Sequence, residues 1–318
     1  MRRREATPTA TLAQPIRSAS ARRPRRSWRT LAPYVFLAPW IVGMLAITLG
    51  PMVASFVLSF TDYSFLGDPE WVGLENYSRM FTDDPRFWAS MGVTFTYVLV
   101  SVPLQLAFAL LIAMVLNQGL RGLAFYRSVY YLPSLLGSSV AVAILWRQIF
   151  GADGLVNQVL GAFGLENLPN WIGTPEFALG TLITLNVWTF GSPMVIFLAG
   201  LRQVPTELYE AAAVDGAGRW TKFWRITVPM ISPVIFFNLV LQMIGAFQTF
   251  TQAYIVSGGS GGPVDSTLFY TLYLYLKAFR DFEMGYASAM AWVLLLIIGL
   301  FTWLAFATSS RWVHYGED

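Results

Sequence analysis

The sequence predicts an all-α integral membrane protein, a six-helix transmembrane bundle with a cytoplasmic helix-break-helix coupling element. The first observation is composition: 55% of the 318 residues are hydrophobic and only 12% are charged, whereas soluble domains carry roughly 25% charged residues. The second is distribution, because charged residues are absent from six long stretches. A run of about 18 or more apolar residues is long enough to cross a bilayer as a helix.

The first 30 residues form a basic segment, which we predict to be a disordered cytoplasmic tail. Nine of the 21 Lys and Arg residues lie between Arg2 and Arg29, and Glu5 is the only acid there. The other residues are mostly Ala, Pro, Ser and Thr, a composition that cannot bury a core. A basic block before a membrane segment is retained in the cytoplasm. It favours contact with anionic membrane lipid, and no aromatic-interleaved basic surface follows that would indicate nucleic-acid binding.

The six uncharged stretches supply the predicted spans of one transmembrane domain over residues 31–310. They are Leu31–Thr61, Phe87–Leu120, Ser128–Trp146, Phe177–Leu201, Ile226–Val264 and Met284–Ser310. The first is far longer than the roughly 7–15 residues of a signal-peptide core, so we interpret it as a membrane segment. Each stretch can supply the roughly 20 helical residues that cross about 30 Å of hydrocarbon. The predicted helix cores cover residues 34–58, 94–117, 128–147, 178–201, 231–255 and 286–308.

The charges of the loops predict the orientation in the membrane. Residues 62–86 hold six acids and two arginines, and residues 151–176 hold three acids and no basic residue. In contrast, Arg121 and Arg127 occupy the short turn after the second span, and residues 202–229 carry four basic residues. Because basic loops stay in the cytoplasm, we expect a multi-pass protein of the cell membrane with both termini inside, including a C-terminal tail over residues 311–318.

Several kinds of chemistry are excluded by the residues that the chain lacks. There is no cysteine, and the single histidine, His314, lies in the polar C-terminal tail. Thiolate sites and transition-metal centres are therefore not expected. The phosphate-binding pattern G-x-x-x-x-G-K-[ST] is also missing, and we interpret the glycine run at 258–262 as a flexible external loop. We predict no catalytic residue, no metal and no cofactor in this chain.

The loop over residues 203–229, between the fourth and fifth predicted spans, carries the clearest local signals. Pro205 is suited to the start of a helix, and residues 206–214 are good helix formers. Glu207 and Glu210 would lie near the positive end of that helix dipole. Gly216 and Gly218 then break the helix.

A second short amphipathic helix is predicted over residues 219–226, before Pro229 and the membrane. The alanines of the first helix allow close backbone approach, and Glu210 offers a fixed charge, which suits docking into a groove on a partner protein. A helix lying on lipid usually carries large apolar residues instead. The loop therefore predicts a helix-break-helix element that contacts a protein.

This loop resembles the EAA motif of permease subunits of binding-protein-dependent ABC importers, whose pattern is E-A-A, a later Gly, and I-x-L-P. The matching residues are Glu210, Ala211, Ala212, Gly216, Ile226 and Pro229, with Val228 where Leu is usual. The carbohydrate-uptake branch is further matched by Asp215, Ala217, Phe223 and Pro233, and by residues 197–201 with Val204 and Pro205. Residues 72–77, 121–133 and 258–267 also resemble that branch, so the likeness covers about residues 31–310.

The resemblance implies a transmembrane permease subunit of an ATP-driven importer for a sugar or sugar-like solute. It implies that this chain forms half of the translocation pathway, with a second permease subunit of similar fold, two cytoplasmic ATPase subunits that use the ATP, and an extracytoplasmic solute-binding protein. The residues expected to couple to the ATPase are Glu210, Ala211, Ala212, Asp215, Gly216, Ala217, Phe223, Ile226 and Pro229. Monosaccharides, disaccharides, oligosaccharides and polyol phosphates all stay open as the solute, and no substrate-binding residue is assigned.

The alternative function is an ion-coupled secondary transporter. Such proteins use acidic residues or histidines inside the membrane to bind the coupling ion. The predicted helix cores contain no Asp, Glu or His, and Arg147 is their only charged residue. A membrane enzyme is also disfavoured, because the nucleophile, base and metal sets it needs are missing or confined to loops.

Overall fold

The computed structural model describes residues 28–64, 67–119 and 122–314. Most of the predicted N-terminal tail (residues 1–27), Arg121 of the predicted cytoplasmic turn and the last four residues lie outside this part of the chain. The described residues fall into two compact units, one ending at Val53 and the other beginning at Ala54. The first helix begins at Trp28, so its first three residues belong to the segment that was predicted as tail.

The described residues are mostly helical, with one short two-stranded sheet. The helices are α1 Trp28–Gly43, α2 Gly50–Leu58, α3 Glu75–Thr82, α4 Pro85–Leu116, α5 Leu123–Leu136, α6 Val140–Ile149, α7 Leu155–Ala162, α8 Pro175–Trp188, α9 Gly191–Leu201, α10 Thr206–Val214, α11 Arg219–Lys222, α12 Val228–Met230, α13 Ser232–Phe247, α14 Thr251–Val256, α15 Tyr270–Tyr275 and α16 Met284–Ser309. Segments of π-helix cover Met44–Leu49, Phe223–Thr227 and Leu276–Arg280. Strands β1 Thr61–Asp62 and β2 Glu70–Trp71 pair antiparallel.

Three helices are long and apolar enough to cross a membrane by themselves: Pro33–Leu58, α4 and α16. Three further candidates are pairs of helices with a bend between them. The bend is 95° between α5 and α6, 42° between α8 and α9, and 68° between the helix over Arg219–Met230 and α13. By length and composition, the described residues therefore contain three single-helix candidate spans, or up to six candidates if each bent pair is counted as one.

Helix α4 lies at the centre of the second unit, in contact with α8, α9, α13 and α15. Its buried residues recur every three or four positions, as in Tyr97, Ser101, Gln105 and Ala109, which is the spacing of one helical face. Leu99 and Leu111 on other faces are exposed, as expected of a helix that also contacts lipid.

The prediction of one continuous third helix over residues 128–147 is wrong. The chain turns by 95° after Leu136, and α6 begins at Val140. A Cβ atom at Gly137 would collide with the side chain of Thr189, so glycine permits a close approach that a larger residue would prevent. Ser139 caps α6, because its side chain accepts a hydrogen bond from the Val142 amide at 3.3 Å.

The predicted fourth and fifth spans are also interrupted. The fourth breaks between Trp188 and Gly191. The fifth, predicted over residues 231–255, ends at Phe247, and α14 begins only at Thr251, because Phe250 has a non-helical backbone. The glycine run at 258–262 lies between helices. The segment Leu268–Leu276 that follows it is mostly buried, and its residues from Tyr270 onward belong to α15 and the π-helical turn after it.

Candidate functional site

Helix α10 and the glycine after it form the first half of the predicted coupling element, residues 203–229. The helix covers Thr206–Val214, as the sequence predicts, and Pro205 is its N-terminal cap residue. Gly216 has a φ of +74°. Its amide donates to the Ala213 carbonyl at 3.1 Å, and the Ala217 amide donates to the Ala212 carbonyl at 2.8 Å. These two bonds form a Schellman motif, in which a left-handed glycine closes the end of the helix.

The second half of the coupling element begins as α11 at Arg219 and continues through a π-helical turn, Phe223–Thr227, into α12. The Tyr209 and Thr227 hydroxyls lie 2.9 Å apart and share a hydrogen bond. This bond joins the two halves of the predicted coupling element.

The predicted coupling residues differ in their exposure to solvent. Glu210, Ala211, Asp215 and Gly216 are exposed around the end of α10, and the others are partly buried, namely Ala212, Ala217, Phe223, Ile226 and Pro229. Within the described part of the chain, the Glu210 carboxylate has no hydrogen bond and no ion pair. The arrangement presents an uncompensated anion on an exposed, alanine-rich surface, which fits contact with a basic or hydrogen-bonding group of another protein.

A polar cavity of about 360 Å³ lies where the helix breaks converge. Its wall includes residues at or beside three of the breaks, namely Gly137 and Ser138, Asn186 and Thr189, and residues 248–252. Gln252 of α14 donates to the Gly137 carbonyl at 3.1 Å, and Thr271 donates to the Thr249 carbonyl. Backbone groups freed by a break inside a membrane need such partners, and breaks of this kind are tolerated where they line a cavity.

The wall of the polar cavity is neutral and rich in hydrogen-bonding side chains. It contains four side-chain amides and five hydroxyls, from Asn186, Gln242, Gln248, Gln252, Tyr97, Ser138, Thr189, Thr249 and Thr251, together with the Phe250 ring. No Asp, Glu, Lys or Arg is among the residues that line it. Amides and hydroxyls can both donate and accept, which suits a ligand covered with hydroxyl groups.

Sequence reasoning assigned no residue to this cavity. The available signal was a group of amides in otherwise apolar stretches, namely Asn186, Gln242, Gln248 and Gln252. Polar side chains inside a membrane are costly and commonly mark a substrate path. The sequence does not show that the three breaks bring these amides together, because that depends on contacts between distant helices.

The junction of α3, α4, α15 and α16 is held by a second polar cluster. Asp84 accepts hydrogen bonds from the Tyr273 and Tyr286 hydroxyls, both at 2.6 Å, and from the amides of Arg86 at 3.0 Å and Phe87 at 3.1 Å. Burial disfavours the ionised form of Asp84. The two hydroxyls, the Phe87 amide and the Lys277 ammonium outweigh that effect and hold the pKa of the carboxyl below its ordinary value.

Comparison with known proteins gives consistent results along the chain. Residues 83–314 match the family described as "Binding-protein-dependent transport system inner membrane component". The chain is 55% identical over 299 residues to "Probable ABC transporter permease protein YesP" of Bacillus subtilis (strain 168), covering 93% of this chain and 97% of that protein. It is 34% identical over 278 residues to "Lactose transport system permease protein LacF" of Rhizobium radiobacter, covering 86% and 92% respectively.

A solved structure has the same fold. It is a chain of the "bacterial alginate ABC transporter in complex with alginate pentasaccharide-bound periplasmic protein", with a TM-score of 0.76, 23% sequence identity, and coverage of 90% of this chain and 98% of that one. The family match spans most of the second unit and includes the coupling element and the polar cavity. The chain therefore belongs to the family of binding-protein-dependent transport system inner membrane components.

Proposed function

We propose that this chain, a permease subunit of an ATP-driven importer, carries a neutral sugar through the polar cavity. The observation that carries the proposal is the wall of that cavity, which presents amides, hydroxyls and an aromatic ring without a charged residue. Its volume of about 360 Å³ is within the roughly 300–1,000 Å³ of small-molecule sites. The similarity to a lactose permease supports the same solute class.

Charge discriminates among the solutes that the sequence leaves open. A polyol phosphate or an acidic polysaccharide needs a cationic partner once it is removed from water, because burying an unpaired anion is costly. Nothing in the wall contributed by this chain provides one. We therefore place neutral monosaccharides, disaccharides and oligosaccharides ahead of phosphates and uronates.

The proposed topology has six spans in the inner membrane, with each bent pair counted as one span and both termini in the cytoplasm. The basic residues around the coupling element support a cytoplasmic position for residues 203–229. The acidic segments over residues 62–86 and 151–176 would face outside.

The proposed partners are a second permease subunit, two ATPase subunits in the cytoplasm and an external solute-binding protein. ATP would be bound only by the ATPase subunits, and this chain would use no cofactor. The exposed end of α10, with Glu210, would dock into one ATPase subunit. An ion-coupled mechanism is not supported, because the chain belongs to a family of binding-protein-dependent systems.

The route from docking site to cavity is short and continuous along the chain. The helix over Arg219–Met230 leads directly into α13, and Gln242, Gly245 and Ala246 of α13 line the polar cavity. Closure of the ATPase dimer would tilt this segment as a rigid body and change access to the cavity from one side of the membrane to the other. Import is then a shift between outward-open and inward-open populations.

Substitution of two cavity amides tests the proposal. Within the described residues, the Gln242 and Gln248 side chains have no hydrogen-bond partner, so they are free to bind solute. Gln242→Leu and Gln248→Leu should each raise the apparent KM for uptake about fivefold, since a hydrogen bond contributes about 1 kcal/mol.

The matched control is Gln118→Leu, at an exposed position after α4 and outside the cavity, which should leave KM unchanged. Competition assays in the same cells should show inhibition by neutral sugars and none by a sugar phosphate. Unchanged KM values in both cavity variants, or strong competition by the phosphate, would refute a neutral sugar site at this position.

A further inference from the structure

The second half of the coupling element has a different surface from α10. Trp220 and Trp224 are 76% and 61% exposed, whereas α10 presents alanines. Arg219, Lys222 and Arg225 accompany them, and within the described residues their side chains form no ion pair. Exposed tryptophans beside unneutralised cations are the composition of a helix at a membrane interface.

An apolar groove extends from this helix along α4. It consists of two adjoining cavities of about 450 and 580 Å³, which share Ala107 and Leu111. The α4 side of the groove extends from Leu104 to Met114. Arg219 and Trp220 line the cavity that includes Met114, and not the one that includes Leu104. At 1.5 Å per residue, ten helical residues span about 15 Å, which is half of a hydrocarbon core of about 30 Å.

These dimensions and charges fit a lipid of one leaflet. We propose that this α4 groove binds an acyl chain of an anionic glycerophospholipid, with its phosphate against Arg219. The inference rests on the proposed function, because it requires the coupling element to lie at the membrane surface. The groove wall supplies apolar contact along one leaflet, and the helix at its end supplies the positive charge and the interfacial tryptophan rings.

A lipid in this position would anchor the second half of the coupling element to the membrane while α10 contacts the ATPase. Phe223 lines the groove and is also the first residue of the π-helical turn after α11. The lipid would therefore contact the segment that transmits motion from α10 to α13. Anionic lipid should then support coupling in addition to binding.

Photolabelling of the complete importer tests the inference. The assembled complex is reconstituted in phosphatidylcholine membranes that contain a phosphatidylglycerol with a diazirine in one acyl chain, and the adducts are mapped by peptide mass spectrometry. Adducts should concentrate on residues 104–114 and 219–228. Ala107→Trp, which fills the groove at an exposed alanine, should abolish them. Leu99→Trp, at an exposed position on the same helix outside the groove, should not.

A second measurement tests the proposed contact between the lipid phosphate and Arg219. Arg219→Gln should lower the preference for phosphatidylglycerol over phosphatidylcholine, measured by competition for the label, about fivefold. Adducts spread evenly over the lipid-facing helices, or adducts unchanged in Ala107→Trp, would overturn the inference. So would crosslinking of a photoreactive residue at position 107 to another protein chain, which would place a subunit in the groove.

The amount of ATPase subunit that copurifies with the permease is measured on the same samples. This measurement separates the lipid inference from the proposed function. A complex that retains its ATPase but shows no groove adducts contradicts the lipid site alone. Groove adducts in a chain that never binds an ATPase contradict the docking role of α10 alone.

Discussion

Gly216 combines a left-handed backbone with open surroundings. Its φ is +74°, and an added Cβ atom would meet no other atom within 4 Å. A substitution there is therefore opposed by backbone strain and not by a clash. A β-branched residue in that conformation costs about 1–3 kcal/mol, whereas asparagine tolerates it better.

We predict that Gly216→Val severely reduces uptake and that Gly216→Asn retains most of it. The reason is that the valine would disturb the Schellman motif that fixes the end of α10. Sugar uptake by cells with equal amounts of each variant in the membrane measures the difference. Equal uptake by the two variants would show that the left-handed conformation is not required.

The docking role proposed for Glu210 can be tested against Glu207, a carboxylate that is also exposed and lies one turn earlier on the same helix. Removing one partner of a desolvated charged pair costs about 2–5 kcal/mol, or roughly 30-fold or more in affinity. Glu210→Ala should therefore reduce recovery of the ATPase with the membrane subunits, and Glu207→Ala should not. If Glu210 only interacts with the helix dipole, the effect shrinks to a few tenths of a kcal/mol, and both variants retain the ATPase. In the proposed complex the second permease would also bind ATPase, so ATPase recovery and uptake are measured separately.

Asp84 gives stability a predictable pH dependence. Its pKa is lowered in the folded protein, so it stabilises the fold at pH values above its ordinary pKa of about 4. That contribution is lost as the pH falls through the lower, folded value. Asp84→Asn should lower the thermal unfolding temperature at neutral pH, by an amount equivalent to about 1–2 kcal/mol given its partial exposure.

The difference between wild type and Asp84→Asn should shrink as the pH falls below about 4. Asp83→Asn is the control, because Asp83 is exposed and accepts its side-chain hydrogen bond from the adjacent Thr82. Unfolding curves followed across that pH range would contradict the prediction if the Asp84→Asn difference were constant.

At the scale of helices, Gln105 stabilises the break between α8 and α9. Its side chain is 2% exposed and donates to the carbonyls of Asn186 at 2.9 Å and Thr189 at 3.3 Å. Ser134 donates to the same Thr189 carbonyl at 2.7 Å. Gln105→Leu should cost about 0.5–1.5 kcal/mol, because the Asn186 and Thr189 carbonyls each lose one hydrogen bond but keep another donor. It should reduce uptake by displacing Asn186 and Thr189 at the cavity. Gln118→Leu again serves as the control, and identical stability and uptake in the two variants would contradict this role.

The elements show which features of the fold the sequence specifies. The long stretches without charged residues locate the membrane segments. Helix α10 and its end at Gly216 follow from local signals, namely Pro205, the alanines and the glycines. The break after Leu136 does not, because it depends on the close approach of Gly137 to Thr189, which lies in the break between α8 and α9. The cavity was missed for the same reason: its lining residues come from four separate segments, around residues 97, 137–138, 185–189 and 242–252.

At the scale of the whole molecule, the proposed topology places Glu166 outside and Thr221 in the cytoplasm. The chain contains no cysteine, and both positions are exposed. In intact cells, an impermeant maleimide should label Glu166→Cys and fail to label Thr221→Cys, while both should react after the membrane is opened. Labelling of Thr221→Cys in intact cells would invert the proposed orientation.

The central claim is that this chain is a pore subunit driven by ATP hydrolysis in a separate subunit. Its most direct test is uptake of a labelled sugar into proteoliposomes that contain both permeases, with and without the ATPase subunits. Binding protein is supplied outside, ATP is supplied on the ATPase side, and the proton and sodium gradients are abolished. We predict uptake only when the ATPase and ATP are both present, and none by the permeases alone under an imposed ion gradient. Gradient-driven uptake without ATPase, or specific ATP binding by the isolated chain, would contradict the account.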